Sequence, residues 1–162
     1  MVTQAVELEH PGRAVFVADV VDVTGSAELV SAHLSVGEAW LSRLATAAVE
    51  DAATGPARPR RTTRAGRRYR EVCVRLGREA QLAGAVVVPM RWQDGRGPHP
   101  FPVLDGNLHV APLGEHRSRL VLYASYRPAF GWQSELDGAV AHEVATTTVR
   151  SFLERVAGAL QG

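Results

Sequence analysis

Histidine supplies six side chains to this 162-residue chain, cysteine one and lysine none, and their spacing limits the chemistry open to it. His10, His33, His99, His109, His116 and His142 are scattered, with no H-E-x-x-H or C-x-x-C motif, so no metal site is assigned. His142 and Glu143 are neighbours, and on a helix they diverge by about 100°. They form no chelating pair, and His142 is expected at the surface. Cys73 has no indicated base beside it and is expected to be structural; as the only cysteine it excludes intrachain disulfides. All 18 basic residues are arginine, which removes Schiff-base and lysine general-base chemistry. A nucleophile elbow, a P-loop and a dinucleotide-type glycine run are all missing from the sequence. No catalytic residue and no cofactor are therefore assigned. The side chains best suited to orient a bound molecule are Trp92 and Tyr126, because each joins an apolar body to a hydrogen-bonding tip.

Two such residues matter only if a fold brings them together. From about Gln133 to Leu160 the pattern predicts one long amphipathic helix. Leu136, Val140, Val144, Thr148, Phe152, Val156 and Leu160 recur at a spacing of four, flanked by Ala139, Val149 and Leu153. Glu135, Asp137, Glu143, Arg150 and Glu154 occupy the other side. Such a helix is roughly 40 Å long and a ten-residue strand roughly 33 Å, so it spans a whole sheet.

Four alternating segments between Tyr69 and Arg127 supply that sheet. Their even positions are apolar: Val72, Val74 and Leu76; Val86, Val88, Met90 and Trp92; Leu104, Leu108 and Val110; Leu120, Leu122, Ala124 and Tyr126. Arg75, Arg91, Gln93, Asp105, Asn107, His109, Arg117 and Arg119 are expected to face outward. Turns are placed at 95–98 and 114–116, and the short connections predict an antiparallel meander. Pro89 argues for an edge or a bulge at its position. On this parity Met90, Trp92, Leu108, Leu122 and Tyr126 from the sheet, with Trp132, Leu136, Val140 and Val144 from the helix and its approach, line a mainly apolar pocket. The plainer alternative is that these residues pack against one another and leave no cavity. Arg91 and Arg127 are candidates to anchor a carboxylate, and Phe130 to plug one end.

The runs VVVPMRWQD, FPVLDGNLHVAPL and SRLVLYASYRP, followed by the helix AVAHEVATTTVRSFLERVAGAL, resemble the START/Bet v 1-like (SRPBCC, helix-grip) superfamily, in particular its polyketide cyclase-like and uncharacterised bacterial members. The resemblance covers residues 69–160 and, more weakly, 27–53. It implies an α+β helix-grip fold, a curved antiparallel sheet wrapped around a long C-terminal helix, enclosing a cavity for hydrophobic small molecules. Members include lipid and sterol carriers, hormone receptors and polyketide cyclases. The fold is shared and the chemistry is not.

The rest of the chain is expected to complete a single domain. Residues 1–26 are placed in an N-terminal extension, although Ala14 to Val17 has strand character and a turn fits at 24–26. Glu28 to Leu34 alternates like a strand. Ser35 and Glu38 form a capping box that opens a helix to about Ala53, with Val36, Trp40, Leu44 and Ala48, supported by Leu41 and Ala45, as its apolar stripe. Residues 54–68 make an arginine-rich loop. Arg58, Arg60, Arg61, Arg64, Arg67, Arg68 and Arg70 carry the local basicity, since without these seven charges the formal +1 becomes −6. A solvated connection explains this run better than nucleic-acid binding, because only Tyr69 is aromatic there.

Hydrophobic content of 46% without a long apolar run predicts one core, no membrane span and a cytoplasmic location. The expected partner is a small hydrophobic molecule; a homodimer is left open. The leading reading is a binding protein for a hydrophobic or amphipathic ligand without defined catalysis. A polyketide cyclase or aromatase is second, and a module that binds nucleic acid or a partner through the arginines is third.

Overall fold

Strands that are apolar on alternate residues bury one face, and the element that covers that face must be at least as long as they are. The computed structural model describes residues 14–53, 71–94, 103–127 and 138–162. In chain order these form β1 (Val15–Thr24), α1 (Ala27–Ser35), α2 (Glu38–Ala53), β2 (Val72–Leu76), β3 (Ala80–Leu82), β4 (Ala85–Asp94), β5 (Val103–Pro112), β6 (Arg117–Arg127) and α3 (Gly138–Gln161). The strands make one antiparallel sheet in the order β1-β6-β5-β4-β2, with β3 also paired to β4. With α3 packed across its inner face, the α+β architecture is that of a helix grip.

The even parity holds along β2, β4, β5 and β6. Val72, Val74, Val88, Met90, Trp92, Leu104, Leu108, Val110, Leu120, Leu122 and Tyr126 are buried, and Arg75, Arg91, Asp105, Asn107 and Arg119 are exposed. Along α3 the buried line is Val144, Ala145, Thr148, Val149, Phe152, Leu153 and Val156, with His142, Glu143, Arg150 and Glu154 in solvent. Pro89 sits in an interior strand, not at an edge. It fits because the neighbouring ladder is interrupted between β2 and β3, where the Gly77 N–H donates to the Pro89 carbonyl at 2.8 Å.

The N-terminal part departs from expectation in four ways. Residues 15–24, expected to fall in an extension, form β1 and pair with β6 along its length. Glu28 to Leu34 is helical. Ser26 caps α1, its hydroxyl accepting from Leu29 N–H at 3.2 Å, and Val30 and Leu34 meet the core one turn apart, a spacing that a short alternating run imitates. Ser35 is therefore the last residue of α1 and opens no helix. Finally, Val36 is 83% exposed and leaves the stripe of α2, whose expected members Leu41, Ala45 and Ala48 are buried together with Ala52.

Glu38 has another task. Glu38, Ser42 and Thr46 follow at a spacing of four on α2, and their oxygens accept from the N–H groups of Leu76, Val74 and Val72 at 2.8, 2.8 and 2.9 Å. Four helical residues rise about 6 Å and two strand residues about 6.7 Å, so helix and strand stay in step over three contacts. The free edge of β2 is closed by side chains where another strand would otherwise fit.

Arg58 to Arg70, the 95–98 turn, Phe130 and the start of the predicted helix at 133–137 lie outside the described residues.

Candidate functional site

The strand register assembles the site row by row. Val74, Trp92, Leu104, Tyr126 and Val15 lie side by side across the inner face; Leu76, Met90, Gly106, Ala124 and Val17 form the next row, and Val88, Leu108 and Leu122 the third. Met90, Trp92, Leu108, Leu122 and Tyr126 are thus brought to one face as expected, and each is at most 2% exposed. Val144 of α3 is buried but stands outside the core cluster that these five residues share with Ala145, Val149 and Phe152. Trp132 and Leu136 lie outside the described residues; Val140 belongs to α3, but its side chain also lies outside them.

The aromatic rings pack edge to face. Trp92 is 5.0 Å from Phe152 and 6.2 Å from Tyr126 between ring centroids. Phe152 and Thr148 were assigned to the helix stripe from sequence and not to the site, yet they supply its helical wall. Spacing held the signal, because both fall four and eight residues after Val144. Gly106 was also missed. A Cβ there would lie 2.2 Å from the Tyr123 carbonyl oxygen, so only glycine lets β6 approach β5 this closely. An inward-facing glycine between Leu104 and Leu108 is the sequence sign of that approach.

Polar groups inside are few. Thr148 donates to the Val144 carbonyl at 2.7 Å and lies beside the Tyr126 hydroxyl. Burial pushes Tyr126 up to about 12 from an ordinary 10.0, with Thr148 acting weakly in the other direction. Tyr126 is therefore a neutral hydrogen-bonding group at physiological pH and a poor proton acceptor. The Trp92 Nε1–H is buried and has no hydrogen-bond partner among the described residues. The other buried polar side chains there, Ser31 and Ser118, donate to the backbone carbonyls of Glu28 and Gly25.

The remaining candidates face away. Asp105 and Tyr123 are exposed and His109 is half-buried on the outer face, where its ring meets Tyr123 at 5.0 Å. Arg91 and Arg127 are exposed on that side too. Cys73 is half-buried on β2. Among the described residues no three His, Cys, Asp or Glu side chains converge as metal ligands, and no helix is long and apolar enough to cross a membrane.

Asp19 of β1 continues the row of Leu108 and Leu122 with its side chain 13% exposed, and Arg150 of α3 reaches it at 2.9 Å; Arg155 reaches Asp51 on α2 at 2.8 Å. Partial burial pushes Asp51 up, but the Ser151 hydroxyl and Arg155 outweigh it and hold the carboxyl below its ordinary value. Asp22 is held low chiefly by its hydrogen bond from Arg119 at 2.7 Å.

Comparison with solved structures places this architecture. A conserved protein from Geobacillus kaustophilus superposes with a TM-score of 0.54 at 11% identity, over 90% of this chain and 95% of its own. A START superfamily protein from Mycobacterium smegmatis gives 0.49 at 16% identity, over 90% and 99%. The Zhui aromatase/cyclase from a Streptomyces species gives 0.37 at 16%, over 90% and 88%. The first likeness establishes the fold and nothing of the chemistry; the other two are too distant to add to it. No family model and no curated protein matches the chain.

Proposed function

Taking the helix-grip fold as the premise, we propose that this protein binds a small hydrophobic or amphipathic molecule between the inner face of its sheet and α3. The observation that carries the reading is the Trp92 indole N–H, fully buried in an apolar interior and without a partner among the described residues. An unsatisfied buried donor costs about 1–3 kcal/mol, and a core selected for packing alone would place an apolar ring there. Met90, Leu108, Leu122, Tyr126 and Val144 form the apolar surround, and Trp92 with Tyr126 orients the guest.

The cyclase reading needs polar groups converging inside and gains none from Asp105, His109 and Tyr123, whose odd positions put them on the outer face. Tyr126 is the only titratable side chain fully buried among the described residues, and its raised value suits holding a molecule better than moving its protons. The lone cysteine favours a reducing compartment, the cytoplasm.

Thermal-shift and native mass spectrometry screens with lipids, polyketides and aromatics test the reading. A stabilising compound retained one per chain is expected; a panel that neither stabilises nor is retained refutes it.

A further inference from the structure

We infer that the polar end of the bound molecule is an uncharged hydrogen-bond acceptor of the carbonyl type, a ketone or ester oxygen, received by Trp92 Nε1–H. This rests on the binding reading above and specifies its ligand class. Three observations lead to it.

The first is the donor itself. Indole nitrogen donates and cannot accept, so whatever satisfies Trp92 must bring a lone pair. The rings of Phe152 and Tyr126 beside it offer at most a weak π contact.

The second is that the other interior donors are engaged. The Thr148 proton goes to the Val144 carbonyl, which leaves the Thr148 oxygen as an acceptor beside the Tyr126 hydroxyl. Ser31 and Ser118 are bonded to backbone carbonyls. A guest group that both donates and accepts, such as an alcohol, would need a further acceptor for its own proton. A carbonyl makes no such demand.

The third is the sign of the charge. Asp19 stands beside Leu122 on the inner face with its side chain 13% exposed and already holds Arg150 at 2.9 Å, Arg155 is held by Asp51, and among the described residues no cation is buried to receive an anion. A carboxylate drawn into this interior would lose its hydration without gaining a counter-charge, which disfavours fatty acids and other anions.

The test compares three probes of matched chain length, methyl nonyl ketone, undecane and undecanoic acid, by displacement of Nile red at neutral pH. The ketone is expected to bind roughly three- to tenfold more tightly than undecane, the value of one neutral hydrogen bond, with the acid weakest. In Trp92→Phe the preference for ketone over alkane should fall to about onefold while alkane binding persists. Should that variant not fold, the wild-type protein labelled with 15N at the indoles serves instead. The Trp92 N–H signal, assigned with Trp40→Phe and Trp132→Phe as references, should move downfield with the ketone and stay in place with undecane. Equal binding of ketone and alkane, acid binding as tight as ketone, or a ketone preference that survives Trp92→Phe overturns the inference and leaves the binding reading intact. Failure of Nile red and all three probes to bind, together with a negative ligand screen, removes both.

Discussion

Removing a single oxygen from the seam between α2 and β2 should destabilise the whole domain. The Ser42 hydroxyl accepts from Val74 N–H at 2.8 Å, and Val74 is 1% exposed, so water cannot take over as acceptor in Ser42→Ala. The stranded N–H costs about 1–3 kcal/mol. The bond that the hydroxyl donates to the Glu38 carbonyl at 2.6 Å adds little, because that carbonyl retains its helical partner. We expect a loss of about 2 kcal/mol in urea unfolding with an unchanged m-value, against the roughly 5–15 kcal/mol of a typical domain. Thr46→Val is nearly isosteric and should cost about as much by stranding Val72 N–H. The two sites are one turn apart and share a strand, so the double variant need not be additive. Hydrogen exchange supplies the local readout. Val72 and Val74 amides should lose protection, while Cys73 and Arg75, whose N–H groups point toward β4 by strand alternation, keep most of theirs. Losses under about 0.5 kcal/mol with unchanged exchange would refute the claim that side chains seal this edge.

Other perturbations follow from single contacts. Gly106→Ala places a Cβ 2.2 Å from a backbone oxygen that cannot rotate away, so a loss of about 2–3 kcal/mol or more is expected in the same assay; a neutral result would show that β5 and β6 separate freely. Tyr126 sets an alkaline limit. The unfolded chain loses this proton near 10.0 and the folded one near 12, so its contribution is complete below pH 10 and fades between the two values at about 1.4 kcal/mol per pH unit. Tyr126→Phe should flatten that limb in urea titrations, and parallel limbs would contradict the burial. Ala83 holds a positive φ of 50° beside Gly84 at 85° in the two-residue turn between β3 and β4. Ala83→Asn should raise stability by about 0.5–1 kcal/mol, and a lower urea midpoint would count against a strained alanine there.

The sequence displayed the inner face of the sheet almost completely. Alternation is a local signal, and once four runs share one parity, the burial of Trp92, Leu108, Leu122 and Tyr126 follows whatever their pairing partners are. The same holds for α3, whose period persists from Val144 to Val156. Signals failed where two periods fit one short run. Glu28 to Leu34 alternates, yet Val30 and Leu34 are also one turn apart, and Ser26 decides for the helix by capping Leu29. Glu38 looked like a capping residue because local spacing cannot reveal that a strand edge 38 residues away requires its carboxylate. The interior polar pattern was hidden for a similar reason. Thr148 on an apolar stripe looks like a filler, and only the packing of α3 on the sheet brings it beside Tyr126.

Energy and position are divided between different parts of α3. Its apolar face supplies the burial, whereas the Arg150 and Arg155 bridges are exposed at the arginine and screened by solvent. Their anchors lie on different elements, β1 for Arg150 and α2 for Arg155, so together they restrict rotation of the helix about its axis. A slip of one residue would turn each side chain by about 100° and carry Thr148 away from Tyr126 and Phe152 away from Trp92. Thr148 precedes Arg150 by two residues and Phe152 lies between the two arginines, so the tethers act within one turn of the contacts they hold. Charges excluded from the interior thereby fix the rotational setting in which neutral groups meet, and the Trp92 N–H keeps a constant surround.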